Sequence, residues 1–291
     1  MEKNNNKRTA FVACSMLFLA VAFILIFSYI PMIQAFFLSL RTGKGANLVF
    51  NGLANYKRML GDKTFWTTVG NTLFYAIVQI PIMLFLALMI AVLVNDPKLK
   101  GRGIYRTCIF LPCVTSLVSY SILFKNIFAV DGFVNNILMK MNLIDSPIAF
   151  VLDASWAKVV IISALIWRYT GYYMIFYLSA LQNIEGSIYE AAQLDGCNPV
   201  QSFTKITIPL LKPIVFLTSV MALNSTLQLF DEVVNLTAGG PGNATRTISQ
   251  YIYDLSFNYV PSYGYSAAVS YAVFIMVALI TIIQKGFLKE K

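Results

Sequence analysis

Histidine is absent from this 291-residue chain, and charged residues make up only 12% of it. Charged residues usually form about a quarter of a soluble domain. The deficit, together with 58% hydrophobic residues and a mean hydropathy of +0.68, indicates an integral membrane protein. The four cysteines show no metal-ligand spacing, so a zinc site of the histidine and cysteine type is not expected.

Sequence signatures of catalysis are missing as well. No G-x-x-x-x-G-K-[ST] pattern occurs, so the chain has no phosphate-cradling loop of its own for ATP. It also lacks a G-x-S-x-G pattern and a histidine base, and we do not expect an enzyme. The net charge of +9 could suggest a nucleic-acid partner, but the basic residues cluster at the ends of apolar runs. That placement suits lipid headgroups and membrane orientation, so we expect a lipid bilayer and no nucleic acid.

Six apolar runs predict an all-α integral membrane protein with six transmembrane helices, since one crossing takes about 20 residues. They lie at about 10–30, 71–94, 104–128, 156–181, 208–230 and 263–283. The first run is too long for a cleaved signal peptide and has no cleavage site after it, so we read it as retained. Pro31 is expected to bend or end this helix, and Pro112 to break the third. A short interfacial helix is expected at 55–60.

The distribution of lysine and arginine predicts the orientation. The densest basic cluster, Lys98, Lys100, Arg102 and Arg106, follows the second span and is therefore assigned to the cytoplasm. Both termini are then cytoplasmic, with twelve Lys and Arg in inner segments against nine in outer ones. The same topology places residues 1–9 and 182–207 inside and the segment 231–261 outside.

The polar loop 182–207 carries the most specific pattern in the chain. Glu190-Ala191-Ala192 is followed by three residues, then Gly196, then nine residues, then Ile206-Thr207-Ile208-Pro209. The pattern predicts a short helix, a break at which Gly196 takes a positive φ, and a second helix with Pro199 in its first turn. This spacing resembles the EAA loop of bacterial ABC importer permeases, with Ile208 where leucine is usual.

The resemblance, which extends over nearly the whole chain, implies the type I ABC importer permease fold in a bacterial inner membrane. In that family the loop is a coupling helix that docks on an ATPase subunit, which here implicates Glu190, Ala191, Ala192, Asp195 and Gly196. It further implies a second homologous permease, an ATPase dimer that binds the ATP, and an extracytoplasmic sugar-binding protein. No cofactor is implied for this chain itself. A Gly-Leu-x-Asn-Tyr segment at 52–56 and a Gly-Gly-Pro at 239–241 are similar to the sugar branch, in particular to maltose permease F-like subunits. The implied function is import of di- or oligosaccharides by alternating access.

Polar side chains inside the spans are candidates for the substrate pathway, because a sugar needs hydrogen-bonding groups and aromatic faces. The candidates are Tyr120, Arg168, Tyr172, Asn224, Thr226 and Gln228. By the resemblance, Tyr172 takes the place of an aromatic sugar contact, and the run 224–228 falls where the family has asparagines that face the sugar, although the residue types differ. Arg168 is expected at the rim of the pathway or extended to the outer surface. Interhelical hydrogen bonding is the alternative role for all of these residues.

Two other classes of function compete with an importer permease. An ion-coupled secondary transporter or channel would require a buried carboxylate or an internal repeat. The apolar spans have no Asp or Glu in their middles, and no repeat stands out. A membrane scaffold without a transport role is disfavoured by the polar residues in the fourth and fifth spans.

Overall fold

The computed structural model describes residue 12 and residues 15–44 and 47–289. The cytoplasmic segment predicted at 1–9 lies outside these ranges. The described residues up to Asp62, together with Ile252–Ile275, form one compact unit. A second unit consists of Lys63–Tyr251 and the residues from Met276 onward.

Within the described ranges, five helices are long and apolar enough to cross a membrane, and a bent helix pair makes a sixth crossing if counted as one span. The five are α1 (Ser15–Ser39), α3 (Lys63–Asn95), α7 (Ala154–Gln182), α9 (Pro199–Leu227) and α12 (Tyr263–Lys289). The bent pair is α4 (Arg102–Val114) and α5 (Leu117–Ile127). This is the all-α, six-span class that the composition predicts. The shorter elements are the hairpin of β1 (Arg41–Lys44) and β2 (Asn47–Phe50), and the helices α2 (Ala54–Leu60), α6 (Phe133–Lys140), α8 (Gly186–Leu194), α10 (Asp231–Thr237) and α11 (Ile248–Tyr253).

Two prolines that follow π-helical turns leave their helices continuous. Pro31 follows the π turn Leu25–Tyr29 in α1, and Pro209 follows the π turn Phe203–Thr207 in α9. A proline removes one backbone donor and crowds the preceding turn, and a wider π turn there can accommodate the lost bond. The first helix therefore runs past Pro31 to Ser39 instead of ending there. The fifth begins at Pro199, in the polar loop, well before the apolar run at 208.

The third span is broken, but not at the expected residue. Pro112 lies inside α4, and the break comes at Thr115 and Ser116, whose ψ angles of 148° and 134° are extended. The helices on either side meet at 97°. Extended backbone in a membrane leaves carbonyl and amide groups without helical partners, so other side chains must satisfy them.

The unit that contains α1 is held together by polar contacts around Asn55. The Asn55 side chain donates to the carbonyls of Ser39 and Arg41 at 2.8 and 2.7 Å, and so joins the end of α1 to the hairpin and α2. Tyr265 on α12 donates to the Asp62 carboxylate at 2.6 Å, and the guanidinium of Arg58 lies 4.0 Å from the Tyr265 ring centre. The short helix expected near 55–60 is therefore an anchored part of this unit.

The second unit is built around α3, α7 and α9, whose apolar residues form one buried cluster. A hydrogen bond of 2.8 Å between the hydroxyls of Tyr177 and Thr218 joins α7 to α9 inside it. Gly171 on α7 allows a close approach of α4, because a Cβ at this position would lie 2.0 Å from the Ile109 carbonyl oxygen. Small residues at helix contacts have this role in membranes.

The segment predicted as an outer loop at 231–261 contains packed structure. Helix α10 folds back against α5 and α7, and Val233 and Leu236 on it are fully buried. The loop after it is fastened to α3, where the Asn71 side chain donates to the carbonyls of Asn243 and Arg246 at 3.0 Å each. The chain that follows the fifth span is thus part of the bundle.

We predict that Gly171→Ala destabilises the protein by about 1–3 kcal/mol, because the added methyl group forces α4 and α7 apart. Thermal unfolding of the purified protein in detergent measures the loss. Gly70→Ala is the matched control, since a Cβ there meets nothing within 4 Å. Equal melting temperatures for the two variants would contradict the close approach at Gly171.

Candidate substrate cavity and coupling loop

A cavity of about 210 Å³ lies half-way along two of the spans, with Gln79 near the middle of α3 and Tyr169 near the middle of α7. Helices α5, α9 and α10 complete the wall. Its other lining residues are Met83, Leu117, Leu165, Tyr173, Ala222, Ser225, Thr226, Gln228, Leu229, Phe230, Asp231 and Glu232. The mixture of aromatic faces with hydroxyl, amide and carboxylate groups matches what a small polar ligand requires.

Gln79 and Thr226 form a polar pair on the wall of the cavity. The Thr226 hydroxyl donates to Gln79 Oε1 at 3.3 Å, and the Gln79 amide donates to the Met83 sulfur at 3.3 Å. Thr226 was a predicted pathway residue, but Gln79 was not. The sequence signal for Gln79 is its position as an isolated amide within an apolar run, where a polar group usually has a function.

Glu232 is a second residue of this cavity that the sequence did not predict. It is 4% exposed, lines the cavity, and accepts a hydrogen bond from the Tyr169 hydroxyl at Oε1, at 3.1 Å. It lies just beyond the fifth span, and the fold-back of α10 brings it in. The apolar spans have no Asp or Glu in their middles, but Glu232 is nevertheless buried among the helices. The available signal was an acidic pair, Asp231-Glu232, directly after an apolar run.

Arg168 braces the break in the third span. One of its guanidinium nitrogens donates to the Thr115 carbonyl at 2.9 Å, and its guanidinium carbon lies 4.6 Å from the ring centre of Tyr120. A cation at this place also complements the negative end of the α4 dipole. The side chain is 9% exposed, so it is buried and does not extend to the surface. Arg168 lies behind the cavity wall and does not line it.

The remaining predicted pathway residues are divided between the cavity and its surroundings. Gln228 lines the cavity, and its side-chain amide donates to the Asn224 side chain at 3.0 Å, so the two form one exposed pair. Tyr120 is buried beneath Arg168, and its hydroxyl lies near the Glu232 carboxylate, outside the cavity lining. Tyr172 contacts the rings of Tyr173 and Phe176, at 5.2 Å each, outside the cavity lining.

The loop 182–207, the candidate coupling loop, has the local structure that its sequence predicts. Helix α8 ends in a Schellman motif, in which the Cys197 amide donates to the Ala192 carbonyl at 2.9 Å and the Gly196 amide to the Gln193 carbonyl at 3.0 Å. Gly196 has the expected positive φ, 79°. Asn198 and Gln201 then form a capping box, and Pro199 begins α9. These turns are closed by hydrogen bonds between residues that are close in sequence. Because the contacts are local, the sequence could predict the turns.

One face of α8 packs on the protein and the other is open. Ala192 is buried, and the Tyr189 hydroxyl is 3.0 Å from the Thr207 hydroxyl on α9. Glu190, Ala191, Asp195 and Gly196 are exposed, and a fifth exposed residue, Leu194, has 90% of its surface accessible. A leucine exposed to this extent beside charged residues is a typical element of a protein-binding surface.

Comparison with known proteins identifies the family. Residues 18–289 match the family described as binding-protein-dependent transport system inner membrane component. The chain belongs to this family. It is 50% identical over 274 residues to the lactose transport system permease protein LacF of Rhizobium radiobacter, covering 94% of this chain and 92% of that protein. It is also 32% identical over 276 residues to the multiple sugar-binding transport system permease protein MsmF of Streptococcus mutans, covering 92% of each.

The fold of this permease is that of a solved importer. A chain from the crystal structure of a bacterial ABC transporter that imports the acidic polysaccharide alginate superimposes with a TM-score of 0.86, at 24% identity and over the whole of both chains. The protein is thus a multi-pass membrane permease with the ABC importer fold. Transporters of this family keep their ATPase on a separate subunit.

We predict that Arg168→Ala accelerates amide exchange in the segment 113–119, because the Thr115 carbonyl loses a charged donor and the helix break loses its brace. Hydrogen–deuterium exchange with mass spectrometry measures this segment directly. Lys125→Ala serves as control, since that cation is exposed in the last turn of α5. Unchanged exchange in Arg168→Ala would show that the break is held by other contacts.

Proposed function

We propose that this permease is the pathway subunit of an ATP-driven importer of a disaccharide such as lactose. The observation that carries the cargo assignment is the 50% identity, over 94% of the chain, to a lactose transport system permease. The family match over residues 18–289 favours an importer permease over the two alternatives, an ion-coupled transporter and a membrane scaffold.

The cavity between α3, α7 and α9 is the proposed sugar site. Its hydroxyl and amide groups at Thr226, Gln79 and Gln228 can exchange hydrogen bonds with sugar hydroxyls. Tyr169 and Tyr173 offer ring faces to the apolar side of a pyranose. In this proposal, Arg168 and Tyr120 position the wall and do not contact the sugar.

The coupling loop is proposed to lie in the cytoplasm and to dock on an ATPase subunit through Glu190, Ala191, Leu194 and Asp195. Helix α8 is rigidly closed by its Schellman motif, so it can move as one body. Continuous helix α9 leads from this loop to Thr226 at the cavity, a distance of roughly 40 Å at 1.5 Å per residue. Motion of the ATPase could therefore reach the sugar site along one helix.

The complete importer is proposed to contain a second homologous permease, an ATPase dimer and an extracytoplasmic sugar-binding protein. The support for the binding protein is the family description itself and the solved alginate transporter in complex with a periplasmic protein. Both termini of the permease are proposed to face the cytoplasm.

Glu190→Lys is expected to abolish co-purification of the ATPase when the chain is expressed with its neighbouring genes, because it reverses a charge in the proposed contact. Immunoblotting of the purified permease for the ATPase measures the association. Glu185→Lys is the matched charge reversal at the exposed N-cap residue of the same helix. Retention of the ATPase by Glu190→Lys would contradict the docking role.

Gly196→Asp is expected to reduce lactose uptake at least about tenfold while the complex still assembles, because an L-residue at φ 79° is strained and the turn that orients α8 changes. A Cβ at Gly196 meets nothing within 4 Å, so the loss would come from backbone conformation and docking, not from a clash within the chain.

Uptake of radiolabelled lactose into proteoliposomes that contain the full complex measures the effect of Gly196→Asp. Gly186→Asp places the same side chain in equally open space at the other end of α8, where φ is not positive. Undiminished uptake by Gly196→Asp would exclude the proposed role of this turn.

A further inference from the structure

The charged side chains that line the cavity are acidic. Glu232 and Asp231 lie side by side in its lining, and among the described residues that line it there is neither lysine nor arginine. The other polar groups there, at Gln79, Thr226 and Gln228, are neutral. A ligand in this space therefore meets two carboxylates and no compensating cation on the wall.

Arg168, the cation behind the cavity wall, is not available to a ligand. Arg168 donates to the Thr115 carbonyl at 2.9 Å, and its guanidinium lies over the rings of Tyr120 and Tyr169, at 4.6 and 5.6 Å. These contacts hold it behind the aromatic wall. It moderates the charge of Glu232 from that side but offers no binding group to the cavity.

The carboxylate of Glu232 lines the cavity, where a ligand can reach it. Its Oε1 accepts the Tyr169 hydrogen bond, and a carboxylate has lone pairs for further donors. Both acidic residues lie in the first turn of α10. A buried carboxylate that faces a cavity attracts donors and repels anions strongly, because the low dielectric weakens the field little.

We propose that Glu232 and Asp231 select the charge of the cargo, so that this permease passes neutral or amine-bearing saccharides and rejects those that carry a carboxylate, sulfate or phosphate. This inference rests on the proposed function of the cavity as the sugar site, and it narrows the class of sugar. Discrimination arises by repulsion of the wrong ligand as well as by hydrogen bonds to the right one.

The local potential can be measured without knowing the cargo. In the full complex, with Cys14, Cys108, Cys113 and Cys197 replaced by serine, Gln228→Cys provides a single thiol in the cavity. Its rates of reaction with a cationic and an anionic methanethiosulfonate, the trimethylammonioethyl and sulfonatoethyl reagents, are compared with those of 2-mercaptoethanol. The ratio of the two rates cancels changes in the reactivity of the thiol itself.

We expect the cation-to-anion rate ratio at position 228 to exceed that of the free thiol by about tenfold or more, and Glu232→Gln to lower it several-fold. Asp131→Cys, on an exposed outer position, should give a ratio close to that of the free thiol. A cavity ratio equal to the free-thiol value, a ratio unaffected by Glu232→Gln, or a thiol that reacts with neither reagent would overturn the proposal.

Lactose uptake by the complex with its natural residues, including Gln228, separates this inference from the proposed function. A raised labelling ratio without lactose uptake would remove the cargo assignment while supporting charge selection. Normal lactose uptake with a flat labelling ratio would support the cargo and overturn charge selection alone.

Discussion

Polar groups enclosed in an apolar bundle must find partners within it, and much of this structure follows from that constraint. The break at Thr115 and Ser116 exposes backbone in the middle of a span, and Arg168 from α7 donates to it. The cation so introduced is itself accommodated by the faces of Tyr120 and Tyr169. Tyr169 in turn donates to Glu232, which α10 brings to the cavity. One irregularity in the third span is thus linked through a short chain of contacts to the wall of the candidate site.

The coupling loop and the cavity lie on the same helices but are built on different physical scales. The turn of the loop is local: its backbone hydrogen bonds join residues three to five positions apart, as between Ala192 and Cys197. The cavity is non-local, since Thr226 and Gln79 meet across 147 residues of sequence. Helix α9 joins the two regions because the π turn before Pro209 lets it continue where a proline would otherwise interrupt it. A continuous helix of this kind can transmit a displacement along its length with little loss.

Structure that depends on hydrophobic length or on local turn chemistry is the part of this protein that the sequence predicts best. The number of spans follows from the apolar runs, and the Schellman turn at Gly196 from the glycine and its spacing. The pathway residues were harder to predict, because polarity inside a span does not tell which neighbour a side chain faces. Thr226 and Gln228 line the cavity, whereas Tyr172 packs against other aromatic rings and Arg168 braces the backbone. The break in the third span and the start of the fifth helix also lie at residues other than those that the sequence predicts. The effect of a proline depends on the turn that precedes it, and the sequence pattern does not show that turn.

The amino-acid sequence by itself determined the membrane character of this permease, its apolar spans, the turns of the loop 182–207 and the family, since each depends on composition or on contacts between near neighbours. Only the tertiary structure decided that the segment after the fifth span folds back and places Glu232 beside Tyr169, 63 residues away. It likewise decided that Gln79 belongs to the site. The physical reason is that the burial of a carboxylate or an amide depends on which helices surround it, and this is a property of the packed bundle that no single stretch of sequence contains.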